Sequence, residues 1–417
     1  MSGIFSPQRI PLKIDGGSAS PAVLEKKILS AAYAPSYSIG EKLLQKIGGI
    51  QLSGRGLNKT AVKIGTEMVQ QRDAQVEAYF EFLPRQHARP QTPIPLACVS
   101  IDGGRMQTRD EGQGTGVHHP HWRETKNALF SRMTSHSFAE DPHPQLPACF
   151  ADRQRMRSLL SGVAQESQPA PVAESPPAVD TKSSKDWRPE RLFRTCLSSL
   201  EDSDAFGRMM EVEADARGFY HAEKKAFVSD GLPYNWTIQQ RHFPEFTPIL
   251  DFVHAAEHLF VAAGCLDADV DRRWNDYLRW SQACWSGQVS RVIDELKTQQ
   301  ARRGLPPKDC DKTDPRKILA DALSYFQNNA ARMDYPKYRR EGLPTTSAHM
   351  ESCVKELNVR VKGSEKFWND GASGEAILQI RAAALCDDDR LIQFLRSRPG
   401  HPFHANVPRE SSLATAT

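Results

Sequence analysis

The stretch Ile94-Pro95-Leu96-Ala97-Cys98-Val99-Ser100-Ile101-Asp102-Gly103-Gly104 decides how the rest of the chain is read. Its apolar residues favour extended backbone, and the run ends on one carboxylate followed by two glycines. A buried strand would deliver Asp102 to a sheet edge, where glycines let a bulky ligand approach the backbone. The same Asp-Gly pair also suits a hairpin turn. Two later carboxylates in matching contexts favour the catalytic reading. Ala226-Phe227-Val228-Ser229-Asp230-Gly231 repeats the order short apolar strand, serine, aspartate, glycine. Ala348-His349-Met350-Glu351-Ser352-Cys353-Val354-Lys355 opens a helix with Glu351 in its first turn.

The segments between these three follow from their patterning. Arg105 to Arg109 could open a second strand, and Trp122 to Lys126 with the apolar run to Met133 reads as part of an antiparallel meander. Glu124 would join a metal site if its strand lies beside that of Asp102; an ion pair with Arg or Lys is the alternative. Trp187 to Phe219 reads as a helix, and Leu232 to Arg241 as another. Thr247 to Val253 reads as a strand that runs into His254-Ala255-Ala256-Glu257-His258 at the start of an apolar helix. Strand, aspartate, helix, strand, helix is α/β topology, which places sites at the carboxyl ends of strands. The His-x-x-Glu-His string also matches an inverted zinc-peptidase motif, which needs a further helical carboxylate downstream. Packing or hydrogen bonding near the site is the other reading of His254.

The 417 residues leave room for about two or three domains. A formal charge of +3 neither demands nor excludes nucleic acid, so any basic footprint must be local. None of the eight cysteines sits in a Cys-x-x-Cys pair, which supports neither a zinc ribbon nor a disulfide framework. No apolar run suits a signal peptide or a bilayer span, so a reduced, cytosolic, soluble protein is expected. Residues 1–90 carry twelve Lys/Arg against seven Asp/Glu. Helical patterning begins near Pro21, recurs from about Ile39 to Ile47, and runs again from Leu57 towards Phe82. That is the outline of a helix-turn-helix with Arg55, Lys59 and Lys63 on its exposed side. A plain three-helix support with a solvated charged face is the alternative. His118, His119 and His121 sit in a Gly/Pro-rich loop and read as solvated. Gln165 to Lys185 is mostly Pro, Ala, Ser, Glu and Val and should be a flexible insert. Residues 265–345 read as an all-helical insertion whose Trp274, Trp280 and Trp285 pack between helices. After Glu351, the residues Lys355, Arg360, Lys362 and Trp368 suit a surface that meets phosphates.

Taken together, the ordered motifs resemble insertion-sequence transposases of the Asp-Asp-Glu type, nearest the ISKra-type group. The carrying stretches are Val99 to Arg109, Trp122 to Lys126, Ser229 to Gly231, Leu250 to His258, His349 to Lys355, and Trp368 with Ala376 to Arg381. The resemblance spans most of residues 20–385. It implies an RNase H-like mixed α/β sheet with an inserted all-helical subdomain and an N-terminal helical segment. The divisions are 1–90 (helical, DNA-binding), 91–264 (first part of the core, with the insert at 164–185), 265–345 (helical insertion), 346–395 (final core helices) and 396–417 (flexible tail). It further implies that Asp102, Asp230 and Glu351 hold two Mg²⁺ ions, with Mn²⁺ able to substitute, and that Asp251 and His254 support them. The expected activity is cleavage and joining of double-stranded DNA at transposon ends and target, by a homo-oligomer on DNA and with no membrane partner. The group often carries a cysteine-bearing DNA-binding piece upstream that this sequence lacks. A shortened, non-catalytic DNA-binding remnant is therefore an alternative, and a zinc peptidase is another.

Overall fold

The computed structural model describes residues 21–81, 87, 89–109, 121–164, 187–363 and 366–398. His118, His119, the Gln165–Lys185 insert and residues 399–417 lie outside the described residues.

Strand β1 (Leu96–Thr108) is the axis of the sheet. Strand β2 (His121–Met133) pairs with it antiparallel, and β3 (Arg191–Ser199) pairs antiparallel with β2. On the other side β4 (Lys224–Ser229) runs parallel to β1, and β5 (Thr247–Leu250) runs parallel to β4. The order β3-β2-β1-β4-β5, with two-residue β6 (Phe367–Trp368) on the far end of β1, makes a mixed sheet among the described residues. This α/β arrangement is compatible with the RNase H-like expectation. It also corrects two details of the sequence reading. Asp102 does not end its strand: β1 runs through both glycines to Thr108, so there is neither a turn nor a second strand there. Nor is 187–219 one helix, because β3 occupies its first half and α5 (Ser203–Ala216) its second. Five consecutive buried residues, Thr195 to Ser199, mark β3 as covered strand rather than a helix with one apolar face.

Helices cover both faces. Helix α4 (Arg153–Ala164) precedes β3, and α6 (Pro233–His242) and α7 (Phe252–Gly264) follow β4 and β5. The region after them folds as α8 (Val270–Trp285), α9 (Val289–Arg303), α10 (Pro315–Asn329) and α11 (Tyr335–Arg340). Its aromatic residues join the core under the sheet: Phe252 meets Trp285 and Tyr335 edge-on, with ring centroids 4.7 and 5.1 Å apart. Trp280 and Trp285 are buried, which fits interhelical packing. Helix α12 (Ala348–Val361) then crosses β1 and β2, followed by α13 (Gly371–Ala384) and α14 (Arg390–Ser397).

At the front, α1 (Pro21–Tyr33), α2 (Tyr37–Lys46) and α3 (Gly54–Glu81) share a second core with α13 and α14. Leu57, Ala61, Ile64 and Gly65 form the buried stripe of α3. Gly65 lies so close to α13 that an added Cβ would overlap the Ala376 carbonyl. Arg72 of α3 reaches Glu375 at 2.5 Å, and Glu375 also accepts from Ser199 Oγ and the Leu200 amide. Residues 396–398, expected in a flexible tail, are held in place: α14 ends at Ser397, and Arg396 and Arg398 pair with Glu25 and Glu67. Among the described residues no helix is long and apolar enough to cross a membrane.

Candidate active site

The parallel pairing of β1 with β4 is in register through Ile101↔Ser229. Asp102 and Asp230 are the next residues on these neighbouring strands, so two carboxylates emerge side by side. Asp102 sits opposite Asn127 of β2, and its Oδ1 accepts the Gly103 amide at 2.7 Å. Asp230 is held by the turn that follows it. Its Oδ1 accepts from Ser229 Oγ at 3.1 Å, the Leu232 amide at 3.1 Å and Asn235 Nδ2 at 2.9 Å. Tyr325 of α10 donates its hydroxyl to the Asp230 carbonyl at 2.8 Å, tying the helical region to the strand end.

The two glycines after Asp102 differ. An added Cβ at Gly103 would come no nearer than 3.7 Å to Glu124 Oε1, whereas at Gly104 it would lie 2.5 Å from Thr125 Oγ1 and 2.9 Å from Asn127 Nδ2.

Glu351 enters from the first turn of α12, and that turn is fixed by a buried aspartate. Asp251 caps α7: its Oδ1 accepts the Val253 and Ser347 amides, both at 3.1 Å. Its Oδ2 accepts Ser347 Oγ at 2.6 Å and His254 Nδ1 at 2.7 Å. Ser347 is the residue immediately before α12, so one carboxylate joins the starts of α7 and α12 and sets where Glu351 stands. Burial opposes the ionised form of Asp251, but the bonds from His254 and Ser347 outweigh it and hold the carboxyl below its ordinary range. For His254 burial again opposes the charge, and the Asp251 bond and charge win, raising the imidazolium to about 10. Glu351 is shifted upward by burial and by the Asp251 charge, with Lys355 and His254 opposing. Lys355 approaches its carboxylate at 3.7 Å.

Glu124 does lie on the strand beside Asp102, but alternation along β2 puts it with Gly103 and Arg105, on the face opposite Asp102 and Asn127. There it accepts the Tyr234 hydroxyl at 3.2 Å and meets Lys126 at 3.5 Å. Burial, then the charges of Glu124 and Asp230, push the Tyr234 hydroxyl well up. The two histidines of the zinc-peptidase string go to different partners. His254 binds Asp251, while His258 stacks on Tyr325 at 3.7 Å and is lowered by burial to about 4.

Asp102 and Asp230 follow paired positions at one end of the sheet, and Glu351 lies in the first turn of the helix that crosses it. Among the described residues, no group of three or more His, Cys, Asp and Glu side chains is arranged to hold a metal ion. Each carboxylate has a donor close by in the chain: the Gly103 amide for Asp102, the Ser229–Asn235 turn for Asp230, and Lys355 for Glu351.

Of the expected DNA-binding residues, Arg55, Lys59 and Lys63 are exposed and recur every fourth residue along one face of α3. Lys355 is exposed and Lys362 half-buried. Arg360 and Trp368 require correction, being 3 % and 6 % exposed. The Arg360 guanidinium lies 4.2 Å from the Tyr37 ring and 5.2 Å from the Trp368 ring, and donates to the Ala31 carbonyl at 2.7 Å. Trp368 Nε1 donates to the Val361 carbonyl at 3.1 Å. A basic and aromatic composition here serves a seam between helices, because both types bury a flat body when their donors are satisfied.

Sequence reasoning missed Ser347, Tyr234, Asn235 and Tyr325. Ser347 had a readable signal, a serine directly before a helix; the others act through contacts distant in sequence or through turn geometry.

No protein-family model matches the sequence, and no curated protein matches it. One solved structure, the Drosophila P element transposase strand transfer complex, is similar over 85 % of this chain and 96 % of that chain. The identity is 8 % and the TM-score 0.28, a likeness too slight to carry any argument here.

Proposed function

We propose that this chain is a DNA transposase of the insertion-sequence type, cutting and joining phosphodiesters at the end of its sheet. The observation that carries the reading is the β1–β4 register, which sets Asp102 and Asp230 on neighbouring strands. Glu351 comes from a helix start tied to the same region through Asp251 and Ser347. The donor chemistry suits Mg²⁺, which prefers hard oxygens and keeps several waters. Asp102, Asp230 and Glu351 would hold it, with Mn²⁺ as a substitute. When bound, such ions supply charge to activate the attacking oxygen and to stabilise the leaving one. The chain's own residues do the rest. Asn235 and Ser229 fix the orientation of Asp230, and Asp251 with His254 fixes the first turn of α12. Lys355 offers a phosphate contact beside Glu351. Arg55, Lys59 and Lys63 present a row of cations to double-stranded DNA, and assembly on two DNA ends calls for more than one copy of the chain.

A strand-transfer assay tests this reading, using 3′-hydroxyl duplexes that carry the DNA flanking the coding region, a plasmid target, and Mg²⁺ or Mn²⁺. Asp102→Asn, Asp230→Asn and Glu351→Gln should each abolish joined product while DNA binding and melting temperature stay close to wild type. Near-normal product from Glu351→Gln would remove it from the site. A second reading, a DNA-binding remnant without chemistry, draws on the local donors that the carboxylates already face. It predicts wild-type protein that binds DNA but yields no product with either metal.

A further inference from the structure

Three cysteines meet between the edge strand of the sheet and the helices covering it. Cys196 lies on β3, Cys353 on α12, and Cys386 just beyond α13, all buried. The Cys353 thiol donates to Cys196 Sγ at 3.3 Å. The Cys196 amide donates to Cys386 Sγ at 3.2 Å, and that thiol faces the Cys196 carbonyl at 3.5 Å. None of the three has a part in the chemistry proposed above.

We propose that Cys196 and Cys353 form a reversible disulfide modification site whose oxidant is a small hydroperoxide. Their sulfurs already touch, and closing to a bond of about 2.05 Å needs a shift of about 1.3 Å, which side-chain torsions can deliver. Cys196 is the attacking sulfur. Hydrogen bonds from Cys353 and Cys386, and the nearby Arg194 guanidinium, favour its thiolate against burial. The thiolate bonds to one hydroperoxide oxygen, the O–O bond breaks, and the departing alkoxide takes up a proton. The sulfenic acid left on Cys196 is then attacked by Cys353. The S–O bond breaks, and the hydroxide leaves as water with the Cys353 proton. Two thiols are oxidised, and one hydroperoxide is reduced to an alcohol and water. All three cysteines are buried, so oxidation waits on local opening and is slow. The product is a covalent tie between β3 and the first turns of α12, two residues beyond Glu351.

The test is to incubate the full chain with hydrogen peroxide, block free thiols, digest without reduction, and map the peptides by mass spectrometry. A pair linking 196 to 353, two hydrogens lighter than its parts and lost on adding dithiothreitol, is expected. Cys386→Ala should leave that link intact, while Cys353→Ala should leave a sulfenic acid on Cys196 that a dimedone probe captures. The half-buried Cys149 and Cys265 serve as internal controls for oxidant dose. A link from 196 to 386 would overturn the proposal. So would sulfinic acid on Cys196 without a link in wild type, or an unchanged Cys196 after Cys149 and Cys265 have reacted.

Discussion

Asp251 accepts four hydrogen bonds in a fully buried position, and its partner His254 is charged because of it. Their titrations bound the pH range of the protein. Asp251 has its carboxyl lowered on folding, so its contribution is present above the ordinary carboxylate pKa and is lost as acid drops the pH through the folded value. His254 is raised from 6.5 to about 10, so its contribution is full below 6.5 and fades as the pH climbs to about 10. Urea midpoints of wild type and His254→Gln should therefore differ most near pH 6 and converge by pH 10. A gap that widened with pH would show that His254 is neutral in the folded protein. Asp251 and His254 were both legible in the sequence through the resemblance. Ser347 could be read as a serine before a helix, but not its pairing with Asp251, which lies 96 residues away in the chain.

Helices α3 and α12 were both read as presenting basic residues to DNA, and they differ in how many of those residues reach solvent. Both carry basic residues in a helical register, but Arg55, Lys59 and Lys63 face solvent while Arg360 is enclosed by Tyr37 and Trp368. Replacing the three exposed residues with Gln should leave the melting temperature unchanged and flatten the dependence of DNA affinity on salt by about three units. Arg360→Ala should do the reverse: a loss of about 2 kcal/mol in urea unfolding, the scale of a desolvated cation–π contact, with an unaltered salt slope. Equal slopes for the α3 triple variant and wild type would remove that face from DNA contact. The hold of α3 on α13 is steric as well. Gly65→Ala places a methyl group against the Ala376 backbone and should cost about 1–3 kcal/mol in thermal unfolding. No flexible side chain is there to give way.

At the scale of the molecule, the helical region at 265–345 shares a core with the sheet, because Phe252, Trp285 and Tyr335 are one aromatic cluster under β4 and β5. Trp285→Ala should cost about 3–5 kcal/mol. Hydrogen exchange should then quicken in β4 and β5 as well as in α8; exchange confined to α8 would show that the region unfolds alone. The strands β1, β2, β4 and β5 were legible as apolar runs, though not the continuation of β1 past Gly104, and the amphipathic helices by their spacing. β3 was not: Arg191-Leu192-Phe193-Arg194 has the spacing of a helix, and its pairing with β2 is decided by partners far along the chain. The same limit applied to Arg360 and Trp368, whose exposure depends on the distant α1 and α2.

The paired glycines after Asp102 imply an uneven record of substitution. A saturation library screened for folded protein should accept alanine and serine at 103, where a methyl group finds space. It should reject every side chain at 104, although both residues are only half-buried. Surface accessibility would rank the two sites alike. Drift among descendants of this chain would therefore run freely up to one side of Gly104 and stop there, for want of a single ångström beside Thr125.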